Sequence, residues 1–241
     1  MEKPASKALI EPTRSRKDIP LPADAFLVFT HQDLVLMKAQ WPQRHQRPGF
    51  FLSEVLVGEG DGSPVALVGP MIGSPQAVLV LEKMIALGVR RVVAYGWCGS
   101  LQPHVLIGDV VLPEAAYSEE GTSPHYPISI PPSPSRTLVR LLEATLQKEK
   151  DFTVHKGLVW STDAPYRETE EKVRFYQEKG VLGVDMETSA LFTVSAFRGI
   201  ELAAVLVVSD DLSQLQWRHG FRDARFQKTR KRLPELFRRL H

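Results

Sequence analysis

The sequence predicts one α/β domain built on a mostly parallel central sheet, and three observations carry the prediction. Segments of strand character alternate with segments of helical spacing along most of the chain. Leu202-Ala203-Ala204-Val205-Leu206-Val207-Val208 is an unbroken apolar run, the pattern of a strand covered on both faces. The chain has 241 residues, 43% of them hydrophobic, which is enough for a sizeable core. Folds of this class and length are often single domains.

Residues 1–22 are polar and proline-bearing, and read as an arm ahead of a domain spanning 23–241. Residues 26–29 read as a short buried strand, followed by a helix over 33–40 that stops before Pro42. Residues 43–49 are basic and loop-like. Strands are expected over 50–57 and 65–68, joined by a glycine-rich turn at 58–62. A helix over 76–87 carries Val80, Leu81, Met84, Ile85 and Leu87 at mostly helical spacing. Residues 91–95 form the next strand, broken by Gly96-Trp97-Cys98-Gly99-Ser100, and 109–112 form another. Residues 113–134 are rich in proline, serine and acid, too long for a plain connector, and read as a flap or a disordered loop. Residues 135–150 make an amphipathic helix with Leu138, Leu141, Leu142 and Leu146 on one face. A strand over 153–160, a charged helix over 168–179 and an apolar helix over 187–198 follow. Neither an internal repeat nor a domain boundary is visible.

A net charge of +2 points to no nucleic-acid or membrane partner. Lys228, Arg230, Lys231, Arg232, Arg238 and Arg239 crowd the last helix, the pattern of a solvated face. The single cysteine, Cys98, excludes an internal disulfide and a cysteine zinc site, and no metal is expected. It fits a reducing compartment. No run reaches the ~18 apolar residues of a membrane span, so a soluble cytoplasmic protein is the expectation.

Two acids stand at element ends. Glu187, Ala190, Leu191 and Val194 share one helix face, and that face is apolar. A carboxylate there either finds a partner or faces a cavity, because an unpaired buried charge is very costly. A first-turn acid favoured by the helix dipole is the plainer reading. Asp210 follows seven apolar residues at the carboxyl end of a strand, where ligands bind in open α/β sheets; it also fits a simple cap. Cys98 has no evident activating base and reads as a quiet thiol.

Together these segments resemble the nucleoside phosphorylase and nucleosidase superfamily, the group of uridine phosphorylase and bacterial purine nucleoside phosphorylase. Gly183-Val184-Asp185-Met186-Glu187 is similar to the family's Gly-Val-Glu-Met-Glu ribose motif, and Val208-Ser209-Asp210 to the Ser-Asp motif of its purine-cleaving branch. Gly96-Trp97-Cys98-Gly99-Ser100, followed by Gly108-Asp109-Val110-Val111, resembles the central glycine loop and next strand. Ile72-Gly73-Ser74-Pro75 matches a family turn. The likeness runs from about residue 25 to 235, and the four motifs fall in family order.

The resemblance implies a mixed sheet curled toward a barrel and flanked by helices, a phosphorylase/hydrolase-like fold. It also implies assembly as homodimers that build trimers or hexamers, a nucleoside substrate, no cofactor, and phosphate as a possible co-substrate. Carried over by position, Glu187 would accept hydrogen bonds from ribose hydroxyls, with Met186 packing on the sugar. Asp210 would protonate the leaving purine, a role that calls for a dry pocket. Cys98, Gly99, Asp163 and Tyr166 fall at the base site, with Pro165 where an aromatic is usual, and Arg222 or Arg225 would steady Asp210. Thr30, Asp33, Arg47, Gly73 and Trp97 fall in the phosphate or water region.

That region departs from the family. Thr30 stands for a glycine, Leu34 and Ala94 for two arginines, and Trp97 for a hydroxyl residue. Each charge-assisted bond is worth roughly 1.5–3 kcal/mol, so losing two weakens phosphate binding by powers of ten. Three readings follow: hydrolysis with Asp33 as the water-activating acid, phosphorolysis through Arg47, His31 and backbone amides, or nucleoside binding without turnover.

Overall fold

The computed structural model describes residues 8–59, 62–128, 132–149 and 151–240. Its strands are β1 (Asp24–Val28), β2 (Arg44–Phe50), β3 (Ser53–Glu59), β4 (Pro64–Gly69), β5 (Arg91–Ser100), β6 (Val110–Glu119), β7 (Val154–Thr162), β8 (Gly183–Asp185), β9 (Glu201–Asp211) and β10 (Arg218–His219). Its helices are α1 (His31–Gln40), α2 (Gly73–Ala86), α3 (Arg136–Gln147), α4 (Glu170–Glu178), α5 (Thr188–Arg198) and α6 (Ala224–Phe237). The strands form one sheet in the order β10-β9-β6-β7-β8-β5-β1-β4-β3-β2. An added β9–β5 pairing closes β5, β9, β6, β7 and β8 into a barrel. The sheet is mixed, and its two longest registers, β5–β9 and β6–β7, are parallel.

The core follows the hydrophobic pattern. Residues 202–208 of β9 are buried without a break, as expected of a strand covered on both faces. Leu138, Leu142 and Leu146 of α3 turn inward, while Leu141 stays partly exposed. α5 is buried from Thr188 to Ser195 and ends at Gly199 in the left-handed conformation. The basic residues of α6 and the turn after it are largely occupied: Lys228 pairs with Asp151, and Arg232 and Arg239 with Glu149. The described arm residues lie against α2 and α5, where Lys83 meets Asp18 and Arg198 meets Glu11. Among the described residues, no helix is long and apolar enough to cross a membrane.

Four expectations need correction. The basic stretch at 43–49 is the edge strand β2. Its mostly exposed side chains carry no apolar alternation, and Pro48 is tolerated at an edge. The single strand expected at 50–57 is cut at Phe51 and Leu52, both at positive φ, which turn the β2–β3 hairpin. Gly96 to Ser100 does not break β5, which runs on to Ser100. The stretch read as a flap begins as strand: β6 continues to Glu119 along β7, with a bulge between Pro113 and Ala115 that accommodates the proline. Of the glycine-rich turn, Gly58 and Glu59 belong to β3, and residues 60–61 lie outside the described residues. Residues 129–131 of the flap lie outside them too.

Candidate active site

A cavity of about 790 Å3 opens at the ends of β1, β5, β8 and β9. Its walls are mostly apolar and aromatic, including Phe29, Met71, Trp97, Leu212, Trp217 and Phe221. Four carboxyl residues also line it: Glu168, Asp185, Glu187 and Asp210. Among the described residues, no lysine, arginine or histidine does.

Glu187 is the residue just before α5 and makes no capping bond of its own. That task falls to Asp185, which accepts from the Thr188 amide at 2.9 Å, from the Thr188 hydroxyl, and from Ser161 Oγ at 2.5 Å. Glu187 instead crosses to the start of α2, where Oε1 accepts the Gly73 amide at 2.6 Å; Oε2 accepts the Met186 amide at 3.2 Å. Gly73 has φ +76°, a conformation that suits glycine and aims its N–H at the carboxylate. Burial, then the neighbouring Asp185 charge, push the Glu187 carboxyl up to about 8. Burial pushes the Asp185 carboxyl up as well, while the three donors around it favour its charged form. Met186 lines the cavity beside it, anchored by Ser74 Oγ to its carbonyl at 2.7 Å.

Asp210 reaches the cavity through a register change. Cys98 pairs with Val208, but Gly99 pairs with Asp210, so Ser209 is an extra residue in β9. Bulges of this kind re-aim the side chains that follow. Asp210 Oδ1 accepts from Ser209 Oγ at 2.6 Å, and Oδ2 from Trp217 Nε1 at 2.9 Å. A Cβ on Gly99 would stand 3.0 Å from Asp210 Oδ2 and 2.7 Å from Leu212 Cδ1, so glycine makes room for the acid. Cys98 is buried, and burial pushes its thiol well up, in keeping with a quiet thiol.

Of the other expected residues, Tyr166 lines the cavity mouth and is almost fully exposed. Asp163 does not line the cavity; it accepts the Gly121 amide at 2.8 Å. Neither arginine expected beside Asp210 reaches it. Arg225 pairs with Asp109 and Thr153, and Arg222 lies at a separate surface recess with His219 and Phe221. Ser209 and Trp217 do that work instead.

Thr30 caps α1, accepting the Asp33 amide at 3.1 Å, and lines the cavity. Asp33 is fully buried and absent from the cavity wall, which argues against a water-activating acid. Arg230 Nε meets Asp33 Oδ1 at 2.7 Å, while Oδ2 accepts from Trp97 Nε1 at 2.5 Å and Thr30 Oγ1 at 2.9 Å. The Arg230 guanidinium lies 4.7 Å from the Trp97 ring centre, and the Phe226 ring packs edge-on against the indole. Leu34 and Ala94 are fully buried, and Arg47 sits on β2 away from the cavity.

Sequence reasoning missed Glu168, Trp217 and Arg230. Glu168 read as the first residue of a charged helix but precedes α4 and lines the cavity. Arg230 hid inside a basic run, although its 3% exposure sets it apart from the paired surface cations around it.

Residues 27–240 match the family model of the phosphorylase superfamily. The chain is 30% identical over 154 residues to guanosine phosphorylase of Halorubrum lacusprofundi, covering 63% of each chain. It is 33% identical over 155 residues to the DeoD-type purine nucleoside phosphorylase of Shewanella oneidensis, covering 64% of this chain and 66% of that one. These matches thus span just under two thirds of either relative. In fold it is similar to the crystal structure of Vibrio fischeri uridine phosphorylase, with a TM-score of 0.83 at 21% identity, covering 92% of this chain and 94% of that one. With a barrel that ends in a carboxylate-lined cavity and a family match over nearly its whole length, the chain belongs to the phosphorylase superfamily.

Proposed function

We propose that the protein cleaves the N-glycosidic bond of a purine nucleoside and uses water as the nucleophile. The observation that carries this reading is the lining of the cavity: four carboxyl residues and, among the described residues, no lysine, arginine or histidine to hold a phosphate. Bond cleavage at a sugar passes through an oxocarbenium-like state, whose positive charge such a wall stabilises. A phosphate dianion finds no counter-charge in that wall, and each nearby ionised carboxylate would repel it, by roughly 4 kcal/mol at about 4 Å and an effective dielectric near 20. Arg230 does not offset this, because Asp33 neutralises it behind Trp97.

In this reading Glu187 accepts the ribose hydroxyls, Met186 packs on the sugar, and Asp210 meets the purine edge among the aromatic walls. No cofactor is needed. The test is a purine nucleoside panel assayed with and without phosphate, with the sugar product identified: free ribose supports hydrolysis.

One observation favours a second reading. Arg47 Nε has no hydrogen-bond partner among the described residues, and β2 is an exposed edge strand. In a homodimer or larger assembly, Arg47 of a second copy would bring a guanidinium to this cavity and let phosphate in. Ribose 1-phosphate as the product would establish it.

A further inference from the structure

Glu168 is one of the four carboxyl residues of the cavity, and neither the fold nor the proposed chemistry gives it a task of its own. It lines the cavity with Asp210, and its side chain makes no hydrogen bond or ion pair with the described residues. Its own segment is held apart from it by backbone bonds: the Glu168 amide donates to the Pro165 carbonyl at 3.3 Å, and Arg167 and Thr169 close the same turn. Asp210, by contrast, is occupied on both oxygens, by Ser209 and by Trp217. Of the two acids, Glu168 is the one with a free carboxyl to offer a ligand.

We propose that Glu168 is a catalytic acid of this site, handing its proton to a purine ring nitrogen as the glycosidic bond breaks. The inference rests on the glycosidic reading of the cavity. In the step, the C1′–N bond breaks and its electron pair stays with the base. The Glu168 carboxyl O–H bond breaks and a new N–H bond forms on the base. Water then adds hydroxide to C1′, and its remaining proton returns to the Glu168 carboxylate. Nucleoside and water become free sugar and free base, with no other reactant.

The surroundings favour this role. Burial first, then the Asp210 charge, hold the Glu168 carboxyl up to about 7, so it carries a proton near neutral pH. The other ionisable groups of the cavity, Asp185, Glu187, Tyr166 and Cys98, include no cation that would strip the proton. Arg167 is exposed, as is Glu170, and neither pairs with Glu168. Two nearby acids with different hydrogen bonding divide the labour: Asp210 is engaged by Ser209 and Trp217, and Glu168 is free to carry the proton.

Glu168→Gln tests it, because the half-buried side chain has no bond to lose and the fold should survive. Rates from pH 5.5 to 9 are compared on inosine, whose base must be protonated, and on 4-nitrophenyl riboside, whose leaving group needs no proton. The parent enzyme should lose inosine cleavage as pH rises through about 7. Glu168→Gln should lower that rate by about 10²–10⁴ and abolish the pH limb, with a far smaller loss on the nitrophenyl riboside. An unchanged limb in Glu168→Gln overturns the proposal, as does an equal loss on both substrates. A parent enzyme that cleaves neither compound overturns the glycosidic reading itself, and this inference with it.

Discussion

The indole N–H of Trp97 meets the Asp33 carboxylate at 2.5 Å, and the indole stands between that acid and the open cavity. Asp33 is thereby committed on both oxygens, with Arg230 Nε on the other. A guanidinium is present near the cavity, but its charge is spent inside the fold.

Breaking that buried pair should be expensive. Arg230→Leu leaves Asp33 buried without its counter-charge, and a loss of ~3–5 kcal/mol is expected. Urea denaturation measures it. Adding Asp33→Asn to the same chain should recover much of the loss, since the uncompensated carboxylate is then gone.

Asp210 is held by Trp217 and Ser209, so its removal and its misplacement should be separable. Asp210→Asn should cost nucleoside cleavage more than Trp217→Phe does, because the carboxyl that meets the purine edge is lost outright. Trp217→Phe deletes one donor to a charged group, worth roughly 1.5–3 kcal/mol, and should cost about 10- to 100-fold in rate. Steady-state kinetics on a purine nucleoside checks both.

Gly99→Ala should act through the same acid. The new methyl would meet Asp210 Oδ2 at 3.0 Å and Leu212 Cδ1 at 2.7 Å. Activity should fall while the far-UV circular dichroism stays that of the parent. Full activity in this variant would show that the wall beside Asp210 yields freely.

Glu187 links the site to stability. Its carboxyl is raised from the ordinary 4.5 to about 8 in the fold, so the folded chain holds a proton that the unfolded chain has released across that window. The contribution is fully present below about 4.5 and is lost as pH rises through about 8. The Tm should therefore fall over this range, and Glu187→Gln should show a shallower slope. Thermal melts at pH 5, 6, 7, 8 and 9 decide it.

The sequence made the frame of the fold legible because its core elements are strongly patterned. The apolar run of β9 and the leucine face of α3 could hardly be read otherwise. The edge strand β2 was hidden because an exposed strand need not alternate, and the length of β6 because Pro113 sits at a bulge. Glu187 and Asp210 stood out as acids beside apolar runs. Glu168 lies among other charges, and only the turn at Pro165–Arg167 carries it into the cavity. Trp217 and Arg230 reach their partners across 7 and 197 residues respectively, and the longer link leaves no trace in local spacing.

A cavity walled by acids should run glycosidic cleavage with water. The most direct measurement is purine release from a nucleoside in phosphate-free buffer and again with phosphate added, with the sugar product identified. Equal rates and free ribose are expected in both. Turnover that requires phosphate and yields ribose 1-phosphate would contradict hydrolysis.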